Sequence, residues 1–84
     1  IKYREDRVKY AKLVEGDDAI VVLRGTIRQS AEVQYENGTI SVNDLLREIT
    51  AEHLAIQTRE LHEIQLLYSE YSLERALGNK EVLK

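Results

Sequence analysis

Tyr35-Glu36-Asn37-Gly38-Thr39-Ile40-Ser41-Val42-Asn43-Asp44-Leu45-Leu46 lies near the middle of the 84-residue chain and carries its only strong turn signal. Asn-Gly readily takes positive φ, so the chain can reverse there. Ser41 follows as a helix N-cap, with Asp44 three residues on to answer it in a capping-box-like pair. A long helical pattern flanks this stretch on each side. The chain therefore reads as all-α: one antiparallel helical hairpin, coiled-coil-like, with a small specific sequence at its tip. A hairpin has almost no interior for chemistry, so function is expected at the tip and along the flanks.

The first arm is expected over about Lys2 to Glu36. Leu13, Ile20 and Ile27 recur every seven residues, with Val14 and Val21 beside them and Leu23 on the same broad side. That is coiled-coil-like spacing. Gly16-Asp17-Asp18 interrupts it. Either one continuous helix tolerates the glycine, or Asp17 or Asp18 caps a fresh start. Gly25 costs about 1 kcal/mol relative to Ala in a helix interior. It marks either a close helix approach or plain tolerance.

The tip turn is expected at residues 37–41 and the second arm over about Val42 to Leu77. Gly78-Asn79 is a stop signal, and residues 78–84 read as a frayed tail. Val42, Ile49 and Ile56 form one seven-residue series. Leu54, Leu61 and Tyr68 form another, joined by Ile64 and Tyr71. Leu66 and Leu73 make a third, weaker line. Several lines on one helix imply contacts on more than one side. Self-association into a dimer or larger bundle is therefore expected, because one pair of arms cannot cover all these residues.

Composition narrows the function classes. The chain has no Pro, Trp, Phe, Cys or Met. It opens without Met on a charged helical pattern and reads as a piece of something longer. No apolar run approaches the roughly 20 residues of a membrane-spanning helix. The net charge of −3 is spread over both signs, which gives no basic stripe for nucleic acid. His53 and His62 are nine residues apart, not the i, i+4 spacing of a metal pair, and read as surface or interfacial histidines. Glu48, Glu52, Glu60, Glu63, Glu70 and Glu74 read as a solvated face, since catalytic carboxylates need a cleft that perturbs their pKa. No nucleophile set or phosphate-cradling loop is present. The expectation is no enzyme, no metal and no cofactor. Tyr68 and Tyr71 are expected to pack against neighbours. Tyr35, one turn before the reversal, is either a tip-packing aromatic or part of a gate or docking surface.

The stretch Ala31-Glu32-Val33-Gln34-Tyr35-Glu36-Asn37-Gly38-Thr39-Ile40-Ser41-Val42-Asn43-Asp44-Leu45-Leu46 resembles the TolC-like outer membrane efflux proteins, at their last helical hairpin. That family often shows an aromatic or apolar residue, a Gly three positions later, an apolar-Ser/Thr step and an Asp-Leu-Leu-like helix start. Thr50-Ala51-Glu52-His53-Leu54-Ala55 is similar to the family's Asn-Ala-Glu-Asn-x-Ala stretch. Leu61-His62-Glu63-Ile64-Gln65-Leu66-Leu67 and Ala76-Leu77-Gly78-Asn79 also fit. Asp17-Asp18-Ala19-Ile20-Val21-Val22-Leu23-Arg24 looks like Bacteroides-type members. The resemblance covers most of residues 13–79.

The resemblance implies a piece of a trimeric tube. A β-barrel in the outer membrane continues as a helical barrel through the periplasm, and this hairpin is part of the helical barrel. Asn37, Gly38, Thr39, Ile40 and Ser41 would form the tip that docks a periplasmic adaptor, which links the tube to an inner-membrane pump. Tyr35 matches a gating tyrosine and Asp44 an aspartate lining the mouth. Two positions depart: a gating arginine falls at Ile40 and a second pore aspartate at Arg47. The alternatives are the hairpin of a periplasmic adaptor, whose usual Arg-Leu-Ser type tip motif is missing here, and a generic coiled-coil dimerisation segment. By its position Asp44 also fits a plain N-terminal capping role.

Overall fold

The computed structural model describes residues 2–82 as two α-helices, α1 (Lys2–Glu36) and α2 (Val42–Val82), packed antiparallel along their length. At about 1.5 Å per residue the arms are roughly 52 and 62 Å long. No strand occurs among the described residues, and none of their helices is long and apolar enough to cross a membrane.

α1 is unbroken through Gly16-Asp17-Asp18. Asp17 does not turn back to cap its own backbone. Its carboxylate reaches across to the His62 ring Nδ1 of α2, and only 8 % of the residue is exposed. A residue committed to the other arm leaves no cap to start a fresh helix. The stop at Gly78-Asn79 is not used: α2 runs on to Val82. A glycine ends a helix by taking positive φ, and among the described residues only Gly38 does so. Lys80 and Glu81, both good helix formers, follow Gly78 and keep the helix going. Of the expected tail, residues 83–84 lie outside the described residues.

The arms meet along a regular 3–4 alternation. On α1 the seam positions are Tyr10, Val14, Asp17, Val21, Arg24, Arg28 and Ala31, all buried or half-buried, with Ile27 half-buried beside them. On α2 they are Leu45, Glu48, Glu52, Ala55, Arg59, His62, Leu66, Ser69, Leu73 and Ala76, with Ile49 and Ile56 half-buried beside them. This seam is mostly small or charged. The apolar series of α1 falls beside it: Leu13 is 37 % and Ile20 49 % exposed. On α2 the line facing the partner arm is Leu66 and Leu73, the weaker one by sequence. Leu54, Leu61 and Tyr68 stand outside, as does Tyr71. Tyr68 and Tyr71 therefore have no packing role within one hairpin; Tyr71 instead lies under the Arg75 guanidinium, 5.8 Å from its ring centre.

Charge fixes the register. Arg28 donates from Nε to Glu52 across the seam at 2.7 Å and from Nη1 to Glu32 on its own helix at 2.8 Å. Both carboxylates raise its already high pKa, Glu32 more than Glu52. Gly25 is the close approach: a Cβ there would lie 3.2 Å from Glu52 Oε2. Its bare backbone makes room for the carboxylate that holds Arg28. Arg59 is served more loosely, 3.6 Å from Asp18 and 3.5 Å from Glu63.

The Asp17–His62 pair gives a test. His62→Leu leaves the buried Asp17 carboxylate without its partner and is expected to destabilise the hairpin by about 1–3 kcal/mol. Replacing Asp17 and His62 together by Leu is expected to recover or exceed the original stability, because the buried polar pair is then gone altogether. Unfolding followed by circular dichroism reads both, and a double variant no more stable than the single one contradicts the assignment.

Candidate functional site

The reversal is built from two helix-end devices set back to back. At the end of α1, Thr39 N donates to Gln34 O at 2.8 Å and Gly38 N to Tyr35 O at 2.9 Å. This is the 6→1 and 5→2 pattern of a Schellman ending. It requires a left-handed residue at the second donor, and Gly38 supplies it with φ 74°. At the start of α2, Asp44 N donates to Ser41 Oγ and Ser41 N donates to Asp44 Oδ2, both at 3.1 Å. Leu45 N then donates to Ser41 O at 3.2 Å, the first helical bond. Asp replaces the more usual Glu of a capping box at this position. Ile40 and Leu45, both half-buried, occupy the positions of a hydrophobic staple around the cap.

The expected tip residues are thereby brought together. Asn37, Gly38, Thr39 and Ser41 are exposed at the apex, and the space where a Cβ at Gly38 would sit is open. Ile40 turns inward to a shallow groove of about 270 Å³. Ile27, Ser30, Ala31 and Gln34 of α1 line it with Asp44, Arg47 and Glu48 of α2. Tyr35, exposed on the last turn of α1, is not among its lining residues. The two expected gate residues therefore point to different parts of the tip within one hairpin.

Asp44 has a defined job in the single chain. The Ser41 backbone N–H and then the Ser41 hydroxyl hold its carboxyl below the ordinary aspartate value, with Arg47 adding charge, while partial burial pulls the other way. Arg47 contributes from 3.8 Å and is itself largely exposed. A ring of like charges would push the pKa up instead, so the sign in the hairpin is that of a cap.

Elsewhere, Glu48 and Glu52 are half-buried in the seam, not on a solvated face as expected. Glu60, Glu63, Glu70 and Glu74 are exposed, as expected. His53 is exposed and His62 is interfacial. Among the described residues no group of three or more His, Cys, Asp or Glu is placed to hold a metal ion. The charged seam was overlooked by sequence reasoning. Its signal is the 3–4 rhythm running through Asp17, Arg24 and Arg28, which a search for apolar periodicity passes over. Comparison of the chain with models of protein families, with characterised proteins and with solved structures gives no match.

The cap can be tested by its pH dependence. Ser41→Ala is expected to cost about 1 kcal/mol, and Ser41→Gly only a few tenths. Asp44's pKa is lower in the folded hairpin, so its contribution is complete above the ordinary aspartate value, about 3.9, and is lost as pH falls through the folded value. Asp44→Asn should therefore lower stability at pH 7 and make little difference near pH 2. An equal loss at both pH values would contradict the capping role.

Proposed function

We propose that this chain is the periplasmic tip hairpin of a trimeric outer membrane efflux channel. In this reading it docks a periplasmic adaptor and takes part in gating the channel mouth, so its work is transport and not catalysis. The observation that carries the reading is the inverted distribution of side chains. The seam between the arms is mostly charged and small, with Val14, Val21, Leu45, Leu66 and Leu73 among it, while many large apolar side chains stand exposed on the outer flanks. A helix whose flanks need covering belongs among several helices, as the wall of a helical tube does. The tip adds support. A rigid turn presents an open Gly38 at the apex, where a partner backbone can approach closely.

The runner-up readings fit less well. A periplasmic adaptor hairpin would use its tip similarly, but the Arg-Leu-Ser type motif is missing from residues 37–41. A free-standing two-stranded coiled-coil segment places its apolar residues in the seam; this one places Arg28, Asp17 and His62 there. Tyr35 and Asp44 would stand at the mouth only when three copies surround one axis. Asp44 would then serve both as the cap and as one member of an acidic ring.

Docking is tested in the full-length channel. Gly38→Trp should abolish export-dependent drug resistance at normal channel abundance in the outer membrane. Gly38→Asn should retain it, since Asn tolerates left-handed φ and is small. Equal resistance in both variants contradicts docking at Gly38. The mouth is tested by single-channel conductance: Asp44→Asn should weaken cation block and cation preference, and Tyr35→Phe should make the closed state leak. Unchanged selectivity in Asp44→Asn would leave that residue a cap alone.

A further inference from the structure

One broad face of the hairpin carries no charge over its middle. On α1 it consists of Leu13, Gly16, Ile20, Leu23 and Ile27, continuing to Ser30 and Gln34. On α2 it consists of Ala51, Leu54, Thr58, Leu61 and Gln65, continuing to Tyr68 and Ser72. Both sets repeat the 3–4 rhythm of the seam, displaced to one side of it. They lie on the same side of the molecule. The groove near the tip is shared by Ile27, Ser30 and Gln34 with Asp44 and Arg47, and a groove at the open end by Asp6 with Gln65, Tyr68 and Ser72. In a chain of 84 residues with 32 % charged side chains, fourteen such positions without a charge form a surface apart from the rest. Six of its side chains, Leu13, Ile20, Leu23, Leu54, Leu61 and Tyr68, are large, apolar and exposed.

We infer that this face closes against the same face of a second copy of the chain, with both tips at the same end, as a four-helix bundle. Three observations select that occupant. First, the two halves of the face complement each other in size. The α1 side is bulky, while the α2 side alternates Leu54 and Leu61 with the smaller Ala51 and Thr58. Two-fold symmetry about the long axis sets α1 over the partner's α2, so the small Thr58 falls level with the Ile20–Leu23 step and Leu61 falls beside Gly16; the head-to-tail arrangement sets α1 over α1.

Second, the levels agree. The Asp17–His62 and Arg28–Glu52 pairs fix which residues are level across the hairpin. The symmetric copy then brings Leu61 beside the Gly16–Ile20 step and Leu54 beside the Leu23–Ile27 step. At the tip, Arg47 comes beside Ser30 and Gln34, and its donors meet acceptors there.

Third, the area suffices. From Leu13 to Gln34 is about 32 Å of helix, and two arms span about 18–20 Å. The face offers roughly 600 Å² per copy, or about 1,200 Å² in total, the lower end of stable interfaces. Every adjacent helix pair in the bundle is antiparallel, which suits the helix dipoles. The pairing is a property of this chain alone and does not rest on the efflux reading.

Analytical ultracentrifugation of the 84-residue chain is expected to give a dimer at tens of micromolar. Ile20→Glu, on the face, should raise the dissociation constant by about 100-fold or more, the loss expected when a carboxylate enters an apolar contact. Val22→Glu, on the opposite flank, should leave it unchanged. A spin label at Asn37→Cys in the otherwise unaltered chain reads the geometry even if Ile20→Glu unfolds. Paired tips lie within about 30 Å, whereas head-to-tail tips are separated by about an arm's length, roughly 50 Å. A folded monomer, a trimer, an equal effect of Ile20→Glu and Val22→Glu, or widely separated labels would each overturn the inference.

Discussion

Arg28 sits where a two-stranded coiled coil ordinarily places a leucine, and much of the hairpin's character follows from holding it there. A guanidinium in a seam needs carboxylates. Glu32 supplies one from the same helix and Glu52 another from across. Glu52 in turn needs space, which Gly25 provides by having no side chain. Lower down, Asp17 and His62 repeat the same demand. Such pairs add little net stability compared with apolar packing, yet they specify register, because a shift by one heptad leaves each charge facing the wrong residue.

A seam that holds these charges leaves room for only part of the apolar side chains. Among the described residues only Ala31 is a buried apolar residue; Leu45, Leu66 and Leu73 are half-buried in the seam, and Leu13, Ile20, Leu23, Leu54 and Leu61 stand exposed on the flank. The register of the hairpin is thus specified by its interior, while much of its large apolar surface stands on its exterior. A thin two-helix unit is marginal by itself, and the exposed apolar flanks are where the proposed pairing of two copies would add stability. The tip is the exception: there the backbone satisfies itself through the Schellman ending and the capping box, with no help from neighbouring helices.

Those differences explain what could be read in advance. The reversal was legible because Asn37-Gly38 and Ser41…Asp44 act through local backbone chemistry, which a sequence displays directly. Both helices and their facing ends followed. The charged side chains in the seam did not, because periodicity arguments favour the most apolar line, and here Leu13 and Ile20 stand on a flank. The end of α2 was misplaced because Gly78 is only an opportunity for a left-handed turn, and the helix formers after it decline the opportunity. The tip residues emerged as a group and Asp44 meets Ser41 as its spacing predicts, but Ile40 turns inward. That inward turn is not contained in spacing alone.

The left-handed backbone of Gly38 has a consequence for the handedness of the amino acid itself. Its φ of 74° is the mirror of ordinary helical space, the only such value among the described residues. An L-alanine there is strained by about 1–2 kcal/mol. A D-alanine finds the same angle natural and also narrows the unfolded ensemble, which is worth about 0.4–1 kcal/mol at a compatible site. Position 38 is thus the point in this chain where a mirror-image residue, introduced by chemical synthesis, is the conservative substitution and the genetically encoded one is not.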